Sequence, residues 1–375
     1  MRTAWIRAAS PALACALFAG PALAVERIEK TLELAQPLTS GGKLHIENLI
    51  GSLVVRGDRT GGRAVVSARV VVEAETRADA QAIADSIALQ SAVEGDTTLI
   101  HVAYPVDRFP SFKIPRGEKS GLVAKWVTPL VQKTTVAAAY GGRSVEVGSG
   151  RGAVAVAVYA EVLLPLEVEA SLRQIVGTLQ AVGLRGKFAL EVVEGQIVAE
   201  QIYGTLQTRT GGGNVVVRNF SGEGLELLTA SGRMEILEVR ADETRVRTGS
   251  GTLDGSGITT AALYVESGTG GVRLAGVDTV AVDVTTGSGL VDLGLRITRT
   301  REASVRTDSG NVVLRINPTT PFLFHAESGA GSVQHRDVAV EVLELEKHRM
   351  RLQRGHGGVD LRVTSARGDV FLRPS

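Results

Sequence analysis

Three carboxylates recur at one position of a repeated pattern in the second half of the chain. Asp254 follows Glu235 by 19 residues, Asp292 follows Asp254 by 38, and each comes directly after an apolar residue, three residues past a glycine. If the repeats stack as parallel strands, one repeat corresponds to about 4.8 Å and two repeats to about 9.6 Å. Pairs of carboxylates at such separations can hydrolyse glycosidic bonds. These three residues are therefore candidate catalytic acids of a carbohydrate-active enzyme.

The same column has a simpler interpretation. Arg273 stands at the equivalent position between Asp254 and Asp292. The order acid, acid, arginine, acid is typical of a solvated face, because opposite charges on neighbouring strands attract each other. Aromatic residues, which commonly bind sugar rings, make up only 4% of the chain. We therefore expect no catalytic residue and keep the enzyme as the alternative.

Other residue types that carry chemistry form no recognisable site. The six histidines lack the close pairing and the cysteine partners of a zinc site. The glycine-rich turns lack the aspartate of calcium-binding β-rolls, and none leads into the Lys-Ser/Thr pair of a phosphate loop. With 41 basic and 40 acidic residues, the chain does not have the charge of a nucleic-acid-binding protein. We expect no metal ion, no cofactor and no nucleic-acid partner.

Regularly spaced glycines position these side chains. On both sides of each glycine, apolar residues alternate with others, which indicates two short β-strands separated by a sharp turn. Glycine is expected at the turn because it adopts positive φ at little steric cost. A serine or threonine three residues earlier can bond the turn backbone. The turn glycines are Gly213, Gly232, Gly251, Gly270, Gly289, Gly310 and Gly331, and the hydroxyl residues are Thr210, Thr229, Thr248, Ser267, Thr286, Thr307 and Ser328.

A period near 20 residues indicates units that must stack to bury their apolar side. A third apolar column, seven residues past the glycine, includes Phe220 and Val239 and gives each coil three inward-facing patches. The sequence thus predicts an all-β fold, a right-handed single-stranded parallel β-helix (β-solenoid) with coils of about 19 residues. The helix should cover residues 153–375, and the shortened last step, to Gly368, should close its C-terminal end.

The first 24 residues are typical of a secretory signal peptide. Arg2 and Arg7 precede an apolar stretch, and small residues before Val25 suit cleavage. The only cysteine, Cys15, lies in this segment, so acylation of a lipoprotein signal at Cys15 is the less favoured alternative. No other segment has the ~18 uninterrupted apolar residues of a membrane helix. We expect an exported chain without a transmembrane helix, either periplasmic or at the outer surface or secreted.

Two segments precede the regular repeats. Residues 25–104 are predicted to form a first coil and a small α/β cap of strand, helix and strand, with the helix over residues 78–89. Residues 105–152 form a proline-containing basic insertion, in which residues 105–143 carry seven basic and two acidic residues. Such a loop can bind a partner or pack back onto the solenoid. Its candidate binding residues are Lys113, Arg116, Lys119, Lys125 and Trp126.

The turn motifs resemble those of bacterial β-helical repeat proteins of unknown function that are labelled putative adhesins. The resemblance rests on residues 48–55, NLIGSLVV, and on serial Ser/Thr-Gly-x-Val-x-Leu turns such as residues 308–314. It implies an exported right-handed β-helix without established catalytic residues. The basic insertion departs from the family pattern, so the resemblance implies nothing about its role.

Together these observations predict a non-enzymatic, exported, adhesin-like module that binds an envelope or surface macromolecule, either protein or polysaccharide. The long faces of a solenoid suit such binding. Two alternatives stay open. One is a carbohydrate-active lyase or hydrolase that uses Glu235, Asp254 and Asp292, and the other is an envelope structural protein that self-associates end to end.

Overall fold

The computed structural model describes residues 25–58, 61–116, 135–150, 152–317 and 320–375. These residues form one sheet of 25 strands and a single helix. The all-β class is therefore confirmed. Among these residues no helix has the length and apolar character that crossing a membrane requires. The predicted signal peptide, with Cys15, lies outside the described residues.

The helix, α1, spans Arg77–Ser86, between the third and fourth strands. The strands are β1 (Glu26–Pro37), β2 (Lys43–Asp58), β3 (Arg63–Ala74), β4 (Ala88–Glu94), β5 (Thr97–Ala103), β6 (Ser111–Lys113), β7 (Val136–Tyr140), β8 (Arg143–Val147), β9 (Val154–Pro165), β10 (Glu167–Val182), β11 (Arg185–Glu200), β12 (Tyr203–Thr210), β13 (Asn214–Thr229), β14 (Met234–Thr248), β15 (Leu253–Ser267), β16 (Val272–Thr286), β17 (Val291–Leu295), β18 (Glu302–Thr307), β19 (Val312–Ile316), β20 (Phe322–Ser328), β21 (Val333–His335), β22 (Glu341–Leu345), β23 (Arg349–Arg354), β24 (Val359–Ser365) and β25 (Val370–Pro374).

The repeats stack as parallel strands in register. Val215 pairs with Met234, Met234 with Leu253, and Leu253 with Val272. Each residue thus meets its equivalent in the next repeat. Parallel strands need a crossover between them, and here the rest of each repeat supplies it. The parallel, solenoid-like architecture predicted from the glycine spacing is therefore confirmed.

Alternating side chains fill the interior. In β13, Val215, Val217, Phe220, Leu225 and Leu227 are buried, whereas the residues between them are half-buried or exposed. Burying a Val, Leu or Phe side chain stabilises a fold by about 1.5–3 kcal/mol. Because every repeat contributes equivalent residues, the core is a set of apolar columns that runs along the solenoid.

The longest column of glycines runs through the rungs at the predicted turns. A Cβ at any member after the first would lie less than 3.0 Å from the carbonyl oxygen of the glycine in the preceding rung. Positive φ, the expected reason for these glycines, applies only at Gly232 and Gly289 among the seven predicted turn glycines. Close backbone approach explains the other five. In spatial order the column is Gly51, Gly177, Gly195, Gly213, Gly232, Gly251, Gly270, Gly289, Gly310, Gly368 and Gly331.

Several hydroxyl groups beside this column bond the backbone of their own turn or of a neighbouring turn, whereas those of Thr210 and Thr286 have no hydrogen-bond partner among the described residues. The Thr248 hydroxyl accepts a hydrogen bond from the Gly251 N–H at 2.8 Å. The Ser328 hydroxyl accepts from the Gly331 N–H at 2.9 Å and donates to the Gly368 carbonyl at 2.8 Å. Serine and threonine hydroxyls readily bond nearby turn backbone. No base lies in these contacts, and they give Thr248 and Ser328 a structural role.

The N-terminal part differs from the regular coils. β1 pairs antiparallel with β3, and β3 pairs antiparallel with β9. The helix α1 packs against β1 and β3, and the Thr76 side chain caps it by accepting a hydrogen bond from the Asp79 N–H. The helix ends at Ser86 rather than at Leu89, because β4 begins at Ala88 and pairs with β5.

The described flanks of the basic insertion belong to the sheet. β6 pairs with β8 and β9, and β7 pairs with β8. Phe112 and Tyr140 are buried, and Tyr104 contacts both rings edge to face at centroid separations of 5.8 and 5.6 Å. The expected insertion over residues 105–152 is therefore integrated into the fold on both sides of residues 117–134, which lie outside the described residues.

The last strands of the chain are not the last rung in space. β24 lies between β18 and β20, and β25 lies between β19 and β21. β23 and β22 then extend the sheet beyond β20 as an antiparallel hairpin. The expectation that the repeat at Gly368 closes the end is wrong. Because all rungs offer similar backbone and apolar columns, the repeat pattern does not specify their order.

The glycine column predicts which glycines tolerate a side chain. Gly251→Ala would place a methyl group against the Gly232 carbonyl, and we expect a loss of stability of roughly 1–3 kcal/mol. Gly224→Ala is the matched control, since its Cβ would meet only the Thr205 side chain, at 3.8 Å. Thermal unfolding of both variants measures the difference. Equal midpoints would contradict the close-approach explanation.

A hydrogen-bonded aspartate in the turn between β24 and β25 predicts how the stability of the protein depends on pH. Asp369 accepts hydrogen bonds from the Ser332 N–H at 2.7 Å and the Ser332 hydroxyl at 2.9 Å, and these bonds lower the pKa of Asp369 from its usual 3.8. Its contribution to stability is present above that usual pKa and is lost as pH falls through the lower, folded pKa. Between pH ~5 and ~2, the unfolding midpoint of the wild type should fall more than that of Asp369→Asn. Parallel curves would show that the bond does not contribute.

Candidate binding groove

Outward-facing residues on successive strands enclose a groove of about 750 Å³. It lies on the strands that follow the turn glycines, and we call it the strand-face groove. It is lined by Arg233, Glu235, Leu237, Asp254, Gly255, Ser256, Arg273, Leu274, Ala275, Gly276, Asp292, Gly294, Leu295, Arg296, Arg315 and Ser375.

The groove is deep because its floor carries small residues. Ser256 pairs with Ala275 across β15 and β16. Gly294 occupies the corresponding position of β17, two residues after Asp292. Larger outward side chains in this column would fill the space. A local choice of side chains on a regular sheet therefore creates the groove.

The structure brings the three candidate catalytic carboxylates to this groove. Glu235 pairs with Asp254, Asp254 with Arg273, and Arg273 with Asp292. They form one outward column along the wall, in the order that the sequence predicts. Their placement on one surface thus follows from the register of the strands.

Each of these carboxylates already forms ion pairs with arginine. Arg218 donates to Glu235 at 3.1 Å, and Arg315 donates two hydrogen bonds to Asp292, at 2.7 and 3.1 Å. These bonds raise the pKa of both guanidinium groups. The arginine donors thus contact carboxylate oxygens that would otherwise be available to a ligand.

Asp254 and two further arginines complete the charged walls. Arg233 and Arg273 lie 3.6 and 3.9 Å from the Asp254 carboxylate. The Arg273 side chain is 67% exposed, and Arg296 has no ion-pair partner among the described residues. Arg273 and Arg296 thus offer guanidinium groups with donors available to a ligand. Within the described residues no cluster of three or more His, Cys, Asp or Glu side chains could hold a metal ion.

A second groove of about 700 Å³ runs beside the turn column. Gly211, Ala230, Gly249 and Gly268 contribute backbone and small side chains to it. Its charged residues include Arg247 and Glu266, which pair with each other at 3.1 Å. With Glu191 and Arg209, its lining has four charged side chains, against seven in the strand-face groove.

Of the predicted binding residues of the insertion, the described ones, Lys113 and Arg116, do not join this site. Lys113 is exposed on β6, and the Arg116 N–H donates to the Glu73 carboxylate at 2.7 Å. β6 lies beside β8 and β9, away from the strands that line the groove. The other candidates, Lys119, Lys125 and Trp126, lie outside the described residues.

Sequence reasoning missed the floor of the groove and the arginine that pairs with Asp292. The floor could have been predicted, since Ser256, Ala275 and Gly294 each come two positions after a residue of the charged outward column. The pairing of Arg315 was harder to predict, because Val313 and not Arg315 stands opposite Asp292 in the next rung. Arg315 stands opposite Gly294 and reaches the Asp292 carboxylate diagonally.

A known protein family matches the part of the chain that contains the regular repeats. The family described as Toastrack DUF4097 matches residues 185–373. No curated protein matches the chain.

Three solved structures are similar at low identity. A putative cell adhesion protein from Clostridium sporogenes is 8% identical, with 92% of this chain and 100% of that chain covered and a TM-score of 0.20. A putative lipid binding protein from Parabacteroides distasonis is 9% identical, with 92% and 96% covered and a TM-score of 0.36. A putative adhesin from Bacteroides fragilis is 9% identical, with 92% and 97% covered and a TM-score of 0.28. Superpositions this loose support no conclusion about the groove.

The ion pairs of the groove predict how its carboxylates affect stability. In a double-mutant cycle, Asp292→Asn and Arg315→Gln should couple by about 0.2–1 kcal/mol, because the pair is partly exposed, and the coupling should weaken at high salt. Urea unfolding of the four proteins measures it. If Asp292 were instead a catalytic carboxylate held in an unfavourable environment, its replacement by Asn would raise the free energy of unfolding. A more stable Asp292→Asn variant would therefore contradict the pairing role.

Proposed function

The chain belongs to the Toastrack DUF4097 family, and we propose that it is a non-enzymatic, adhesin-like binding module of the bacterial cell envelope. Its ligand, a protein segment or a polysaccharide of the envelope or surface, lies along the strand-face groove. The family match agrees with the resemblance to β-helical repeat proteins that the turn motifs indicated. We further propose that the coils wind to the right with a step of about 19 residues.

The observation that carries this proposal is an open groove with a low floor and charged walls on a regular sheet. Sites on strands are held more rigidly than sites on loops. Ala275 and Gly294 let a ligand approach the strands, while Arg273 and Arg296 can donate several hydrogen bonds each. Such a surface can bind without first changing shape.

The spacing of the rungs favours an extended ligand. Equivalent side chains repeat about every 4.8 Å along the groove. A polymer that lies along the solenoid axis meets an acid or an arginine at each rung, from Glu235 through Asp254 and Arg273 to Asp292. Mixed charges suit a ligand with both hydroxyl groups and charged groups. Arg fits carboxylates and phosphates well because its donors form a planar fork.

A carbohydrate-active enzyme remains the second candidate, because Glu235, Asp254 and Asp292 line one groove. Glycoside hydrolysis requires one carboxylic acid that is protonated when the bond breaks. All three carboxylates are already engaged in ion pairs with arginine. We therefore propose binding rather than cleavage.

Export is part of the proposal. A signal peptide over residues 1–24 would deliver the chain to the periplasm or the outer surface, or release it. Acylation of Cys15 is the alternative that would hold the chain at a membrane. A partner role for Lys119, Lys125 and Trp126 is a further proposal. Its test is a deletion of residues 117–134 only, since removing residues 105–143 would also remove the buried Phe112 and Tyr140.

Filling the groove should abolish binding. Ala275→Trp places a large side chain on the floor, and Ala261→Trp is the matched control at an exposed alanine outside the groove. We expect at least a tenfold loss of binding to isolated envelope material for Ala275→Trp only, since a bulky group blocks close approach. Labelled protein, cosedimented with peptidoglycan, outer-membrane vesicles and extracted surface polysaccharide, provides the measurement. Equal binding by both variants would show that the strand-face groove is not the binding site.

The enzyme alternative has its own measurement. Each polysaccharide fraction is incubated with the wild type and with Asp254→Asn/Asp292→Asn, and new reducing ends or unsaturated sugars are quantified. We expect no product from either protein. Product formed by the wild type and lost in the double variant would replace the binding proposal with catalysis.

A further inference from the structure

The strand β22, which ends the sheet beyond β20 and β23, has a free edge. β22 pairs antiparallel with β23, and no other described strand pairs with it. Its second row of backbone N–H and C=O groups therefore faces away from the sheet. Such an edge is a template for an additional strand.

Apolar side chains on β22 are unusually exposed. Val342 is 46%, Leu343 44% and Leu345 56% exposed. Val342 lies opposite Leu352, and Leu345 lies opposite Met350, both of which are fully buried. Residues opposite each other on paired strands point to the same face. Val342 and Leu345 thus continue the apolar interior past its last covered rung.

The free edge is also acidic. Residues 337–346 contain Asp337, Glu341, Glu344 and Glu346 and no basic residue. Glu344 lies 3.9 Å from Arg349, which Glu346 also attracts at longer range, but Glu341 has no ion-pair partner among the described residues. Charges on an edge strand discourage pairing with strands of the same sign.

We propose that β22 is a docking site for an extended segment of another protein, in which Lys or Arg residues alternate with aliphatic residues. The segment adds a strand to the free edge through backbone hydrogen bonds. Its aliphatic side chains cover Val342 and Leu345, and its basic side chains pair with Glu341 and Glu346. This site is separate from the strand-face groove and does not depend on the function proposed for it.

A second copy of this chain fits the edge poorly. Pairing β22 with β22 would bring Glu341, Glu344 and Glu346 of both copies together, and like charges close to one another destabilise a strand pair. Basic residues on the added strand remove this repulsion. The charge of the edge therefore selects a basic partner over self-association.

The test uses a set of fluorescein-labelled octapeptides that alternate Lys or Arg with Val, Leu or Ile, and a matched set with Glu in the basic positions. Fluorescence anisotropy is measured with the full chain. We expect binding of basic peptides, at least tenfold weaker for Val342→Lys/Leu345→Lys and unchanged for Leu290→Lys, which alters an exposed leucine elsewhere. Thermal midpoints confirm that the variants are folded. Hydrogen exchange should show slower exchange confined to the amides of Glu341–Leu345.

Several results would overturn the proposal. One is the absence of binding by every basic peptide, and another is equal binding of acidic and basic sets. Equal affinity of Val342→Lys/Leu345→Lys and Leu290→Lys, or protection away from β22, would place the peptide elsewhere. A dimer of the wild type by light scattering that Val342→Lys/Leu345→Lys dissolves would assign the edge to a second copy instead.

Discussion

The close approach of backbones at the glycine column is the constraint on which the rest of the structure depends. From Gly177 onward, each glycine in the column packs against the carbonyl of the glycine before it, with no room for a side chain between them. The hydroxyls of Thr248 and Ser328 bond the same turns. Once the turns are fixed in this way, the strands on either side pair in register and the apolar columns meet.

The same constraint builds the outer surface. Because rungs are in register, residues at one position of the repeat become neighbours in space, and charges far apart in the chain form continuous walls. Glu235, Asp254 and Asp292 meet in this way, and so do the small residues Ser256, Ala275 and Gly294. The stacking of rungs stops before β22, which is an edge strand. No further rung covers β22, so its apolar side chains are exposed.

Much of this fold could be predicted from sequence because the repeat is local and periodic. The glycine spacing gave the all-β class, the parallel stacking and the column that holds Glu235 and Asp254. It did not give the reason for Gly251, where close approach rather than positive φ excludes a side chain. It also did not give the ion pair of Asp292 with Arg315, or the insertion of β24 and β25 between earlier rungs. Those features depend on which rungs meet, and similar repeats carry little information about their order.

Chemical cross-linking of neighbouring rungs tests this account most directly. In a chain with Cys15 replaced by Ser, cysteines are introduced in pairs at Val313, Phe371 and Gln334, outward positions of β19, β25 and β21. A thiol reagent that spans ~5 Å, one rung spacing, should join Val313→Cys to Phe371→Cys and Phe371→Cys to Gln334→Cys, because these residues are paired. It should not join Val313→Cys to Gln334→Cys, since a rung separates them. Efficient cross-linking of the last pair without the first would contradict the order of the glycine column and the surface built on it.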